Sequence, residues 1–151
     1  MLLTQINEKQ IFYENARDTQ CSIPDTLNVG KWIGVIIANA EDNLLVNGVV
    51  KKCLDNNIGF VCCAGEISEK LEASFDHEIV HRIIEKDNEA DNDDHICTVN
   101  DLEIEEALFF AIYAADPDKT LYNNIICIDL TKGKPEEIIA SIEKLRIEYG
   151  G

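Results

Sequence analysis

Trp32-Ile33-Gly34-Val35-Ile36-Ile37-Ala38 is an unbroken apolar run. Successive side chains of a strand point to opposite faces, so a run without polar alternation marks a strand covered on both sides. Immediately after it the period changes. Across residues 42–56, Leu45, Val46, Val49, Val50, Cys53 and Leu54 recur at helical spacing along one face. A second apolar run, residues 58–64, ends at Gly65, and residues 66–86 are helical again, with a possible break near Ser74.

The alternation continues to the end of the chain. Residues 96–99 form a short third strand. Asn100 stands where a helix cap is needed, with Glu103 in the capping-box position. The helix that follows buries Ile104, Leu108, Ala111, Ile112 and Ala115 and stops at Asp116-Pro117. Residues 124–130 are the fourth strand, and Lys134-Pro135-Glu136-Glu137 opens a last helix with proline and acids in its first turn. Strands alternating with helices predict an α/β fold. It is a single-domain three-layer sandwich around a mostly parallel sheet of four to five strands, with helices on both faces. Residues 32–151 make up this unit. Residues 1–31 are expected to be an extension in which Ile11-Phe12-Tyr13 adds an edge strand or packs across the sheet.

Composition narrows the function classes. The net charge of −16 makes binding to nucleic acid or to an anionic membrane surface unfavourable, because both are polyanions. No stretch has the length of a membrane span, and the start, Met1-Leu2-Leu3-Thr4-Gln5, lacks the apolar core of a signal peptide. Cys62, Cys63, Cys97 and Cys127 lie within apolar or β-branched runs and read as small core hydrophobes. No C-x-x-C pair is present, so reduced thiols and a cytoplasmic location are expected.

More than half of the net charge lies in residues 85–106. The stretch contains Glu85, Asp87, Glu89, Asp91, Asp93, Asp94, Asp101, Glu103, Glu105 and Glu106 against the single Lys86. Like charges at this density repel, and no fold requires them. A solvated loop is the plain reading. A binding face for a basic protein is the functional one, with Glu85, Asp87, Glu89, Asp91, Asp93, Asp94, Glu103, Glu105 and Glu106 as partner-binding residues.

Two further patterns point to other chemistry. His77-Glu78-Ile79-Val80-His81 matches H-E-x-x-H, in which two imidazoles hold zinc and the glutamate activates water. This predicts, as an alternative, a small metal-dependent hydrolase. Against it, no G-x-x-H follows, and Ile79, Val80, Ile83 and Ile84 form the apolar stripe of the helix, leaving both histidines on its flanks. The second pattern is positional, since parallel sheets bind ligands at the carboxyl ends of their strands. There the loops hold Asn39-Ala40-Glu41-Asp42, Gly65-Glu66, Asn100-Asp101 and residues 129–134. These acids with Lys134-Pro135 resemble the pocket of response-regulator receiver domains, which implies a Rossmann-like small-molecule site as another alternative. No glycine-rich phosphate loop is present, so no nucleotide cofactor is expected.

The acidic stretch, the small size and the missing catalytic constellation together make the chain similar to bacterial immunity proteins of contact-dependent growth inhibition and related polymorphic toxin systems. That resemblance implies a non-enzymatic inhibitor of a basic, nuclease-type toxin domain, with no cofactor and no metal. Cys63-Ala64-Gly65, Leu71, Ser74-Phe75-Asp76, Ile96-Cys97-Thr98 and Phe109-Phe110-Ala111 also resemble an uncharacterised bacterial α/β family, which implies no particular activity.

Overall fold

The opening apolar run forms β3 (Trp32–Ile37), and all six of its residues are buried. The structure, a computed structural model, describes residues 2–17, 31–85, 96–101, 103–116, 122–133 and 135–150. After β3 come a 3-10 turn (Ala40–Leu45), α1 (Val46–Asp55), β4 (Ile58–Ala64) and α2 (Ser68–Glu85). Then follow β5 (Cys97–Asp101), α3 (Ile104–Phe109), β6 (Asn124–Asp129) and α4 (Pro135–Tyr149). Two strands, β1 (Leu2–Ile6) and β2 (Lys9–Asn15), precede them.

The sheet has six strands in the order β1-β2-β6-β3-β4-β5. β1 pairs antiparallel with β2, and the remaining neighbours are parallel. This is the expected α/β sandwich with more strands than four or five. The surplus comes from residues 1–31. β2 is not an edge strand: it lies between β1 and β6, with Ile11 opposite Ile125 and Tyr13 opposite Cys127. The hairpin that adds β1 turns at Asn7 (φ 52°) and Glu8 (φ 64°), the left-handed pair of a two-residue turn. Glutamate is an uncommon residue there, which is why the turn escapes a reading based on Asn-Gly signatures.

Strand alternation divides the core. Trp32, Ile36, Val61, Cys63, Ile126 and Ile128 face α1 and α2, where Val50, Cys53, Leu71 and Phe75 meet them. Ile33, Val35, Cys62, Ile125 and Cys127 face α3 and α4, against Leu108, Ile112, Ile138 and Ile142. Each fully buried aliphatic or aromatic side chain contributes about 1.5–3 kcal/mol. The Trp32 indole also donates a 2.7 Å hydrogen bond to the Asn56 carbonyl, which fixes the end of α1 against β3.

Four local expectations are corrected. α2 runs unbroken through Ser74. Its supposed apolar stripe is largely outside: Val80, Ile83 and Ile84 are 54%, 45% and 70% exposed, and only Ile79 packs on the core. The cause is length, since an 18-residue helix extends about 27 Å whereas a five-residue strand such as β5 spans about 17 Å. Asn100 does not cap α3, because β5 continues through Asp101 and pairs Asn100 with Cys63. Glu103 is the cap instead, and α3 passes into a π-helical segment (Phe110–Ala114) in which the Ala115 N–H donates to the Phe110 carbonyl at 2.8 Å. Finally, Cys97 is exposed on the edge strand and not a core residue. Among the described residues, no helix is long and apolar enough to cross a membrane.

Candidate functional site: an acidic crevice at the carboxyl end of the sheet

β3 and β6 are neighbours, yet the chain leaves them in opposite directions. From β3 it passes to α1 on one face, and from β6 to α4 on the other. Diverging connections open a crevice at the carboxyl ends of such a strand pair. It has a volume of about 370 Å³ here, and its floor is apolar, made by Ile37, Ile104 and Ile138. Glu41, Glu66, Glu103 and Glu137 stand around it, with Lys132 as the lysine among the lining residues. Three of these acids stand at helical starts: Glu41 lies in the 3-10 turn, Glu103 occupies the N-cap position of α3 and Glu137 lies in the first turn of α4. Carboxylates are favoured at such starts by unpaired N–H groups and the helix dipole. The fold thus gathers several helix starts, and their acids, at one crevice.

The walls are held by a dense set of hydrogen bonds. The Glu66 N–H donates to Asn39 Oδ1 at 3.2 Å, and the Ala40 N–H donates to Glu66 Oε1 at 3.0 Å, so the loops after β3 and β4 clasp each other. Gly65 lies between them at φ +100°, where an added Cβ would come within 2.3 Å of the Ala38 carbonyl oxygen. Asp42, 1% exposed, accepts from the Asn39 N–H at 2.8 Å and pairs with Arg17. Arg17 Nε also donates to the Leu130 carbonyl at 2.9 Å, so one side chain ties the ends of β2, β3 and β6. Asp129 is 2% exposed and accepts from the Tyr13 hydroxyl at 2.7 Å, the Thr131 N–H at 2.9 Å and the Thr131 hydroxyl at 2.6 Å. These hydrogen bonds shape the loop after β6, whereas Glu41, Glu103 and Glu137 are exposed.

Of the acidic stretch of residues 85–106, the described members lie at both ends of the sheet. Helices between parallel strands run against them, so Glu85, at the end of α2, lies at the amino end of the sheet. Glu103 follows β5 at the carboxyl end. Glu103 lines the crevice, Glu105 is bound to Lys144 at 3.2 Å and Glu106 is exposed. Asp87, Glu89, Asp91, Asp93 and Asp94 lie outside the described residues. Glu41, Glu66 and Glu137 belong to the site without belonging to that stretch. The rule of carboxyl strand ends points to the first two, whereas charge density does not.

The H-E-x-x-H residues are engaged elsewhere. Glu78 accepts from Arg82 Nε at 3.0 Å, and this hydrogen bond, with the nearby charges of Arg82 and Lys51, holds its carboxyl below the usual range. A depressed carboxylate is a weak base for activating water. His81 lies 3.6 Å from Glu85, and His77 lines a groove toward α1. Among the described residues, no three His, Cys, Asp or Glu side chains form a group that could hold a metal ion. Nor are the buried thiols placed for nucleophilic work. Burial pushes Cys127 up to about 12 and raises Cys62 and Cys63 as well, so none carries a thiolate at neutral pH.

Residues 13–145 match the family described as a domain of unknown function, DUF7684. The chain belongs to this family. The matched DUF7684 region runs from the middle of β2 into α4 and so includes strands β3 to β6, every crevice-lining residue and the Arg17 clasp. No curated protein and no solved structure matches the chain.

Proposed function

We propose that this protein is a non-enzymatic binding module that captures a basic protein partner at the carboxyl end of its sheet, in the manner of an immunity protein neutralising a cationic, nuclease-type toxin domain in the cytoplasm. One observation carries the reading: four glutamates surround an apolar floor of Ile37, Ile104 and Ile138, with Lys132 as the lysine among the lining residues. Lysine and arginine are amphipathic, with methylene stems that settle on apolar surface and heads that need carboxylates. A basic side chain of the partner enters the crevice stem against the floor, and its head meets Glu103, Glu137 or Glu41. The surrounding field steers the encounter and raises the association rate more than the affinity.

The test is co-expression with basic nuclease-type toxin domains, a domain encoded beside this chain being the first to try. Relief of growth arrest by the wild-type chain, lost in Glu41→Lys/Glu103→Lys/Glu137→Lys, is the expected result. Relief that survives the triple charge reversal removes the crevice from the interface.

The volume of about 370 Å³ favours a second reading, since small-molecule sites begin at about 300 Å³. In that case the occupant is a linear organic amine. Calorimetry with spermidine at physiological salt separates the two: one-to-one binding supports the small-molecule reading, and no heat supports the protein partner.

A further inference from the structure

On the face opposite α3 and α4, a second concavity lies between α1 and α2, and its chemistry is the reverse of the crevice. We propose that this groove is an anion site that takes a phosphate dianion, either free or as the head of a small phosphomonoester. It has a volume of about 210 Å³ and is lined by Asn47, Lys51, Lys70, Ser74 and His77, with Val50 and Ala73 as its apolar part.

The register explains the convergence. Lys70, Ser74 and His77 are spaced i, i+4, i+7 along α2 and form one row, and Asn47 and Lys51 are an i, i+4 pair on α1. Where two packed helices ordinarily face each other with apolar side chains, these rows present two ammonium groups, an imidazole, a hydroxyl and an amide. All five can donate hydrogen bonds. Glu78 is the acid among the lining residues, and its carboxylate is bound to Arg82, which also reaches Asp55 at 2.9 Å. Its charge is answered chiefly by Arg82, and Lys51 stands near enough to act on it as well, so the two lysines outnumber the one lining carboxylate.

With two ammonium groups against one carboxylate already bound to Arg82, the groove favours a dianion over a monocarboxylate. A tetrahedral anion also has enough oxygens to accept from several of the five donors at once. Size sets the upper limit. The groove is smaller than the range of drug-sized sites, which starts at about 300 Å³, so it admits a phosphate with a short ester but not a nucleotide. A molecule of net charge −16 repels anions at long range, so a site that attracts one requires local charge of this kind.

The experiment is an NMR titration of the full chain with inorganic phosphate and, separately, with glycerol 3-phosphate, at ionic strength held constant with sodium chloride. Saturable shifts confined to Asn47, Lys51, Ser74 and His77 are expected for at least one anion. Lys51→Gln/Lys70→Gln should weaken binding about tenfold or more, since two charge-assisted hydrogen bonds are lost. Both lysines are exposed, so the variant keeps the fold, which its amide dispersion verifies. Tighter binding of the ester assigns the site to a phosphorylated small molecule, and equal binding assigns it to the free anion. Shifts that never saturate, an undiminished affinity in the double variant, or equal shifts at Lys132 and Lys144 overturn the proposal.

Discussion

Asp129 lines the crevice yet is buried, and its three hydrogen bonds all point into the protein. Asp129→Ala removes three hydrogen bonds at once, those from the Tyr13 hydroxyl and from the Thr131 N–H and hydroxyl, and urea denaturation should show a loss of about 2–4 kcal/mol. Much of that loss should be shared with Tyr13→Phe in a double-mutant cycle, and strict additivity would refute the coupling. Asp129 ends the fourth apolar run of the sequence, so its position at a strand end is legible. Its burial is not, because the partner Tyr13 is 116 residues away in the chain. The buried thiols give a pH prediction. Cys127 is raised by burial from 9.0 to about 12, so the unfolded chain loses that proton first. Stability is therefore full below pH 9 and falls as pH rises toward 12, by about 1.4 kcal/mol per pH unit for such a thiol. The alkaline slope of the urea midpoint should become shallower in Cys127→Ala. An unchanged slope would mean that other groups set it.

Among the elements, α2 shows where pattern reading succeeds and where it stops. Its existence follows from periodicity, yet its inner face is Leu71 and Phe75, and Val80, Ile83 and Ile84 are exposed. Apolar spacing identifies a stripe but does not say how far the surface beneath it extends, and β5 is too short to cover the last turns. Phe75→Ala should cost about 3–5 kcal/mol, while Ile84→Gln should change stability by less than about 0.5 kcal/mol. A large loss at Ile84 would mean that the end of α2 is covered after all. The alternation of β3 through α4 was legible because each element carries its own period. The β1–β2 hairpin was not, since β2 mixes Lys9, Gln10 and Glu14 with its apolar residues, and its partner β6 lies more than a hundred residues away.

At the scale of the whole molecule, the same strand order that makes the crevice gathers negative charge there. Part of this placement was legible: the carboxyl-end rule named the loops holding Glu41, Glu66, Asp129 and Lys132. The charge run of residues 85–106 does not point to Glu41, Glu66 or Glu137, and of its described residues Glu85 and Glu103 lie at opposite ends of the sheet. Glutamates that converge on one crevice repel one another, and that repulsion weakens the folded state whether or not a partner is bound. Removing charge at the rim should therefore stabilise the protein. Glu103→Gln/Glu137→Gln should raise the urea midpoint at low salt by the equivalent of about 0.5–1 kcal/mol, with the gain shrinking at 0.5 M sodium chloride as screening shortens to a few ångströms. Glu85→Gln, at the far end of the sheet, serves as the control and should gain less. If the paired substitution instead destabilises the chain, these acids act as helix-start caps whose favourable interaction with the backbone exceeds their mutual repulsion. Their exposure at the crevice would then be a by-product of folding, and the case for a basic partner would have to rest on binding measurements alone.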